Sequence, residues 1–380
     1  MLSRALRSIA VIIAIVPAAL VAQERGVFVA RLGADTVSLE RFEFTRTALT
    51  GDLVVRTPRT QWFHYVATLR PDGLVGRVDL EQRPIGSPAG APISEGSLVF
   101  GRDSVTSTMT AGGHTRSRSV AVGSLALPAL SYSYAMMELG SRLLVQHKVD
   151  SLPVDLVYAG SVARSPNIFR RVGSDSASYD SFGSPVNFKI DRDGRALGFD
   201  AGQTTVRMQV ARVPSLDFDG LAASFAVRDA AGQGLGVMSS RDTARGTIGS
   251  ASVSVDYGRP MVRGRRIFGG LVPWGQVWRT GANAATQLTT DRDLIIGGAV
   301  VPAGTYTLWT LPTKDGATLI INSQTGQWGT DYDAKRDFAR VPLAVSSLAA
   351  PVERFTLTVS DAVLVMDWDR SRFTVPIRVK

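Results

Sequence analysis

The sequence predicts an all-β chain in two parts: an N-terminal antiparallel meander or curved half-barrel with one helix, then a C-terminal β-sandwich or jelly-roll-like domain. Three observations carry this. Short runs rich in Thr, Val and Arg alternate apolar with polar residues, and 37 Gly and 18 Pro fall largely between them, the texture of strands and turns. The 380 residues, 44% of them hydrophobic, exceed the ~150 residues of a typical single domain and supply enough apolar surface for two cores. Past residue 22 no apolar run reaches spanning length, which argues against a membrane span in the mature chain.

The first 22 residues read as an export signal. Arg4 and Arg7 form a positive start, Ile9 to Val16 an apolar stretch, and Leu20-Val21-Ala22 a small-residue cleavage site. An N-terminal anchor is the alternative, but the stretch is short and interrupted by Pro17. Cleavage after Ala22 makes the mature protein periplasmic or extracellular. With no Cys anywhere, a lipoprotein anchor, disulfides, thiol nucleophiles and thiolate metal sites are excluded.

From Val27 the chain reads as hairpins. Phe28 to Leu32 and Thr36 to Thr45 alternate around Gly33-Ala34-Asp35, and Pro71-Asp72-Gly73 joins Tyr65-to-Leu69 with Val75-to-Leu80. After a Pro/Gly-rich loop at Arg83 to Glu95, strands are expected over 97–100, 104–110 and 117–122. A helix opens at Pro128, with Leu130, Tyr134 and Met137 on one face and an exit at Gly140 or His147. Strands resume over 156–162, 167–172, 176–182, 186–190 and 204–213. The N-terminal domain is thus 23–213. Residues 214–234, with Asp217-Phe218-Asp219-Gly220 followed by a glycine-rich run, read as a linker. About eight short strands follow in 235–380: 252–257, 286–290, 294–296, 305–311, 318–322, 354–359, 363–367 and 372–377, with a helical turn at 333–339. Trp274, Trp278, Trp309, Trp328 and Trp368 lie in this second part, whereas His64, His114 and His147 lie in the first.

The C-terminal motifs resemble those of the bacterial domain-of-unknown-function family 2911. They are Val255-Asp256-Tyr257-Gly258-Arg259-Pro260, Arg263 to Gly275, Val277-Trp278-Arg279-Thr280-Gly281-Ala282-Asn283, Pro302-Ala303-Gly304-Thr305-Tyr306, Asn322 with Gln327-Trp328-Gly329, and Pro351 to Phe355. The resemblance covers about 235–380 and implies an exported β domain, with no catalytic residues to carry over. The N-terminal part resembles no family; its texture is similar to the curved sheets that hold lipophilic ligands.

The formal charge is +9, lowered by two to +7 when Arg4 and Arg7 leave with the signal. The positive residues form no stripe, so nucleic acid is not an expected partner; a small molecule or an anionic envelope polymer is. No Lys follows a Gly and Gly232-Gln233-Gly234-Leu235-Gly236 lacks dinucleotide spacing, so no nucleotide cofactor is expected. There is no G-x-S-x-G elbow, and no His follows residue 147. The histidines lack zinc spacing, and no Asp-x-Asp pair completes a calcium loop. No metal, no cofactor and no catalytic set are therefore assigned.

What remains is a binding chemistry. Trp274, Trp278 and Trp328 offer flat faces, and Arg279, Asn283, Asp256 and Glu353 offer directional hydrogen bonds to a polar or glycan-like ligand. Core filling by the tryptophans and an internal Arg279–Glu353 ion pair are the competing reading. Arg259, Arg263, Arg265 and Arg266 form the densest positive run, for an anion or for local carboxylates. The leading expectation is a non-catalytic binding module. A carboxylate-dependent hydrolase using Asp256 and Glu353, and an N-terminal sheet carrying an apolar ligand, are the alternatives.

Overall fold

The computed structural model describes residues 23–86, 90–123, 125–159, 164–181, 184–204, 206–360 and 362–380; the signal peptide expected over 1–22 lies outside them. Strands dominate, with two α-helices among the described residues.

Fifteen strands make one sheet. In the first half these are β1 (Glu24–Leu32), β2 (Asp35–Phe44), β3 (Ala48–Val55), β4 (Gln61–Leu69), β5 (Val75–Arg83), β6 (Ser94–Phe100), β7 (Ser104–Ala111) and β8 (His114–Ala121). Then come β9 (Ala126–Ala129), helix α1 (Ala135–His147), β10 (Ser151–Tyr158), β11 (Arg164–Gly173), β12 (Ser176–Ser181), β13 (Ser184–Ile190), β14 (Ala196–Asp200) and β15 (Gln209–Val213). The order is 8-7-6-5-4-3-2-1-15-14-13-12-11-10-9, antiparallel except where β9 runs parallel to β10.

The sheet rolls up. β5 and β9 stand eleven positions apart, ~50 Å in a flat sheet at ~4.8 Å per strand, yet they touch. Inward residues such as Phe28, Leu53, Tyr65, Phe169 and Phe199 form one core around Met136, Leu139 and Leu143 of α1. β8 remains an edge, its hairpin with β7 projecting past this near-closure, and it is exposed on both faces. The meander or half-barrel with one helix is the architecture found.

That helix begins later than Pro128, which lies in β9. Tyr132 has a positive φ of 69°, and the first helical N–H groups are satisfied from another strand. Glu40 of β2 accepts from the backbone N–H groups of Tyr134 and Ala135 and from the hydroxyls of Tyr65 and Ser133. A cap supplied across the core leaves no local signature. Burial pushes the Glu40 carboxyl up, against those four hydrogen bonds.

Segment 214–234 is more than a linker. It contains α2 (Phe218–Ala230), capped by the Asp217 side chain, which accepts from Gly220 N–H at 3.0 Å. Phe218, Ala222 and Phe225 cover Val29, Leu39, Val54 and Trp62 on the outer face of the sheet. Gly220 and the glycines after the helix hid this amphipathic stripe from the sequence.

The remaining strands are β16 (Ser239–Ile248), β17 (Ala251–Pro260), β18 (Thr286–Thr290), β19 (Leu294–Ile296), β20 (Ala299–Val301), β21 (Gly304–Pro312), β22 (Ala317–Asn322), β23 (Asp337–Ser360) and β24 (Val363–Val379). Their order is 16-17-18-21-22-23-24-19-20. β23 and β24 form one long irregular hairpin, so the segments expected at 363–367 and 372–377 are a single strand. Only residues 334–336 of the turn at 333–339 are helical. β23 curls back: Met261 bridges Arg354, and β16 lies so close that a Cβ on Gly246 would sit 2.7 Å from the Val359 carbonyl oxygen. The enclosed core includes Tyr257, Leu308, Phe355 and Trp368, as expected of a sandwich-like domain.

The two sheets meet at the β1–β2 turn. Gly33 is required there, because its φ is 60° and a Cβ would lie 2.1 Å from the Arg263 carbonyl oxygen. Ala34 N–H donates to that oxygen at 3.0 Å, and the Arg263 guanidinium pairs with Asp35.

Candidate functional site

Beside this contact lies a cavity of about 370 Å³ walled by both sheets. Trp278, Arg279, Asn283 and Arg265 enter from the C-terminal sheet, and Arg207, Thr204 and Tyr132 from the N-terminal one. Trp368 forms part of the wall, with its indole Nε1 buried and unpartnered.

The loop from Trp278 to Thr286 is held from every side. Trp278 exchanges backbone hydrogen bonds with Thr310 and donates its indole N–H to the Gly281 carbonyl at 3.1 Å. Its ring stacks on Trp368 at 5.5 Å. The Thr280 and Thr310 hydroxyls bond at 2.8 Å, and Thr286 donates to the Thr280 carbonyl. Thr280 and Asn283 have φ of 50° and 63°, the left-handed region that a β-branched threonine enters only under constraint. A Cβ on Gly329 would lie 2.0 Å from Cδ of Arg279 and 2.4 Å from the Asn283 carbonyl oxygen. The Trp328-Gly329 motif is thus a groove that lets the Arg279 stem pass.

Arg279 makes no hydrogen bond or ion pair with a described residue, and its Nε is buried. Burial pushes its guanidinium below the usual range, and the charge of Arg207 pushes it further. Arg265 is lowered by burial, then by Arg263 and Arg207, although its Nε and Nη2 reach the carbonyls of Val262 and Met261. Arg207 donates to the Gly270 carbonyl at 3.4 Å. No carboxylate or histidine is among the described lining residues. Three guanidiniums thus reach one pocket, an arrangement that offers directional donors of a kind suited to an anion.

The sequence candidates therefore divide. Trp278, Arg279, Asn283 and Arg265 come together at the cavity. Trp274 stacks on Phe268 at 6.0 Å away from it, and Trp328 is 43% exposed with its backbone bridged to Ala284. Asp256 pairs with Arg241 at 2.8 Å, and Glu353 accepts from Arg263 N–H at 2.9 Å; neither carboxylate lines the cavity, and the Arg279–Glu353 pair does not form. Arg259 is held by Asp242, the Phe355 carbonyl and the Thr356 hydroxyl. Arg263 ties the sheets together, and Arg266 is exposed. Sequence reasoning missed Arg207, Thr204 and Tyr132, because nothing in the N-terminal segments announces which loop will face Arg279. No cluster of three or more potential metal ligands occurs among the described residues, and no helix there is long and apolar enough to cross a membrane.

No curated protein matches the chain. The solved structures similar to the chain include two at 10% identity each. A protein of family DUF1089 from Pseudomonas aeruginosa aligns over 44% of this chain and 92% of its own, with a TM-score of 0.32. A β-barrel-like protein of domain family DUF1849 from Brucella abortus aligns over 50% and 95%, with a TM-score of 0.34. Residues 239–377 match the model of the family described as a protein of unknown function, DUF2911, the family whose motifs the C-terminal segments carry.

Proposed function

We propose that this is an exported, two-domain binding protein that takes a small anionic polar ligand of the cell envelope into the cavity between its sheets. One observation carries the reading: Arg279 brings to a pocket shared with Arg207 and Arg265 a guanidinium whose Nε is buried and unpartnered. A buried donor without an acceptor destabilises the protein unless something else supplies the oxygen. A carboxylate or phosphate on the ligand does so, with the Trp278 and Asn283 side chains beside it to contact a sugar or similar planar body. Binding rather than hydrolysis is favoured because Asp256 and Glu353 are engaged elsewhere.

The test uses the full chain without its leader, titrated with inorganic phosphate, glucuronate and glucose. Phosphate or glucuronate should raise the melting temperature and glucose should not, with the effect lost in Arg279→Met. An equal response of wild type and variant, or none to either anion, overturns the proposal. The mass of the protein recovered from the native envelope fraction checks export: it should begin at Gln23.

A further inference from the structure

A second cavity, of about 280 Å³, lies inside the rolled N-terminal sheet. Its walls are mostly apolar and aromatic, with Leu130, Met137, Phe199, Met208 and the rings of Tyr134 and Tyr179; Asp180 and the hydroxyl residues Ser131, Ser133, Ser181 and Thr204 also line it. It sits at the rim where Tyr132, Thr204, Val206 and Arg207 face residues of the C-terminal sheet. Tyr132, Thr204 and Val206 line both this cavity and the arginine pocket, so the two meet at these residues. Together their sizes fall within the ~300–1,000 Å³ typical of small-molecule sites.

The two halves differ in chemistry. One is basic and rich in hydrogen-bond donors. In the other no Arg, Lys or His lines the described wall, and burial raises the phenols of Tyr158 and Tyr179. A purely polar anion leaves the apolar half unused, and a purely apolar molecule leaves Arg279 unpartnered. Building on the anion-binding reading above, we infer that the ligand is a single-chain anionic amphiphile, its carboxylate or phosphate head against Arg207, Arg265 and Arg279 and its hydrocarbon chain between Tyr132 and Phe199.

The experiment compares dodecanoate, dodecyl phosphate, dodecanol, acetate and inorganic phosphate on the full chain without its leader, below micelle-forming concentrations. Each buried methylene should tighten binding about fourfold, so three or four of them give an advantage of ~100-fold for a dodecyl anion over its short counterpart. Dodecanoate against dodecyl phosphate identifies the head group. Ala201→Trp, which fills the apolar half, should abolish the chain-length advantage and keep the binding of inorganic phosphate; Leu130→Trp, at another lining position, does the same should the first variant fail to fold. Arg279→Met should remove the preference for dodecanoate over dodecanol. Binding of inorganic phosphate or acetate with no gain from the chain overturns this inference and leaves the anion site standing. Dodecanol binding as tightly as the anions, unaffected by Arg279→Met, overturns both, as does the absence of binding by every probe.

Discussion

Replacing Arg279 by Met separates what the site does from what the fold needs. Arg279 runs its stem past Gly329 and ends in a guanidinium whose Nε is buried without an acceptor. Met keeps most of the apolar stem and removes the charge. An unsatisfied buried donor costs ~1–3 kcal/mol; because the Arg279 side chain is only half-buried, the lower part of that range, ~1–1.5 kcal/mol, is the expected gain in ligand-free stability. For a cooperative unit of ~150–250 residues this raises the melting temperature by ~2–6 °C. The assay is thermal unfolding by circular dichroism with and without inorganic phosphate: the variant should melt higher without phosphate and gain nothing from it. A variant that melts more than ~2 °C lower than wild type would mean that the guanidinium serves the fold, and the argument from an unpartnered charge would fail.

Three further outcomes are expected. Burial raises the Asp52 carboxyl, but hydrogen bonds from His64, Arg41 and Trp62 and the charge of Arg41 outweigh it and bring it from 3.8 down to about 2. A lowered carboxyl contributes stability above its unfolded value and loses it as pH falls through the folded one; the gap amounts to about 2 kcal/mol. Urea unfolding should therefore show the advantage of wild type over Asp52→Asn shrinking by that amount between about pH 5 and pH 2, and a pH-independent difference would refute it. Phe218→Ala should cost ~3–4 kcal/mol, because Phe218 meets the Trp62 ring edge-on and stacks under Arg41; unchanged stability would make 214–234 a passive connection. At the contact between sheets, the Arg263 side chain is 2% exposed and Asp35 34% exposed, so a double-mutant cycle of Asp35→Ala and Arg263→Met should return a coupling of ~1–2 kcal/mol, and none if the pair does not tie the sheets.

Local patterns were readable and distant ones were not. Gly33-Ala34-Asp35 was legible as a turn because turn chemistry is local; that the same glycine seats the second sheet on Arg263 was not, because the partner lies more than two hundred residues away. The start of α1 was misplaced for the same reason, its cap being Glu40 of β2. α2 was missed because its apolar stripe of Phe218, Ala222 and Phe225 is short and interrupted by polar and glycine residues. At the site, the Trp278-Arg279 motif stood out by composition. The same rule also gathered Trp274, which the core needs, and Asp256, which Arg241 holds. Residue type selects groups capable of binding, and only the third dimension says which are left without partners.

The placement of the arginines has a consequence for how the two sheets hold together. Among the described residues the ties across the junction include Ala34 to the Arg263 carbonyl, Asp35 to the Arg263 guanidinium, the Thr57 hydroxyl to the Gly236 carbonyl, and the long Arg207 bond to Gly270. Next to them Arg207 from one sheet faces Arg265 and Arg279 from the other across the cavity, and like charges at short range oppose docking. An anion between them reverses the sign of that interaction, because it is attracted to both walls at once. On the proposed reading, an anion bridging both walls couples its own affinity to the docking of the sheets: whatever loosens the sheets would weaken the ligand, and the ligand would tighten the sheets by the same factor.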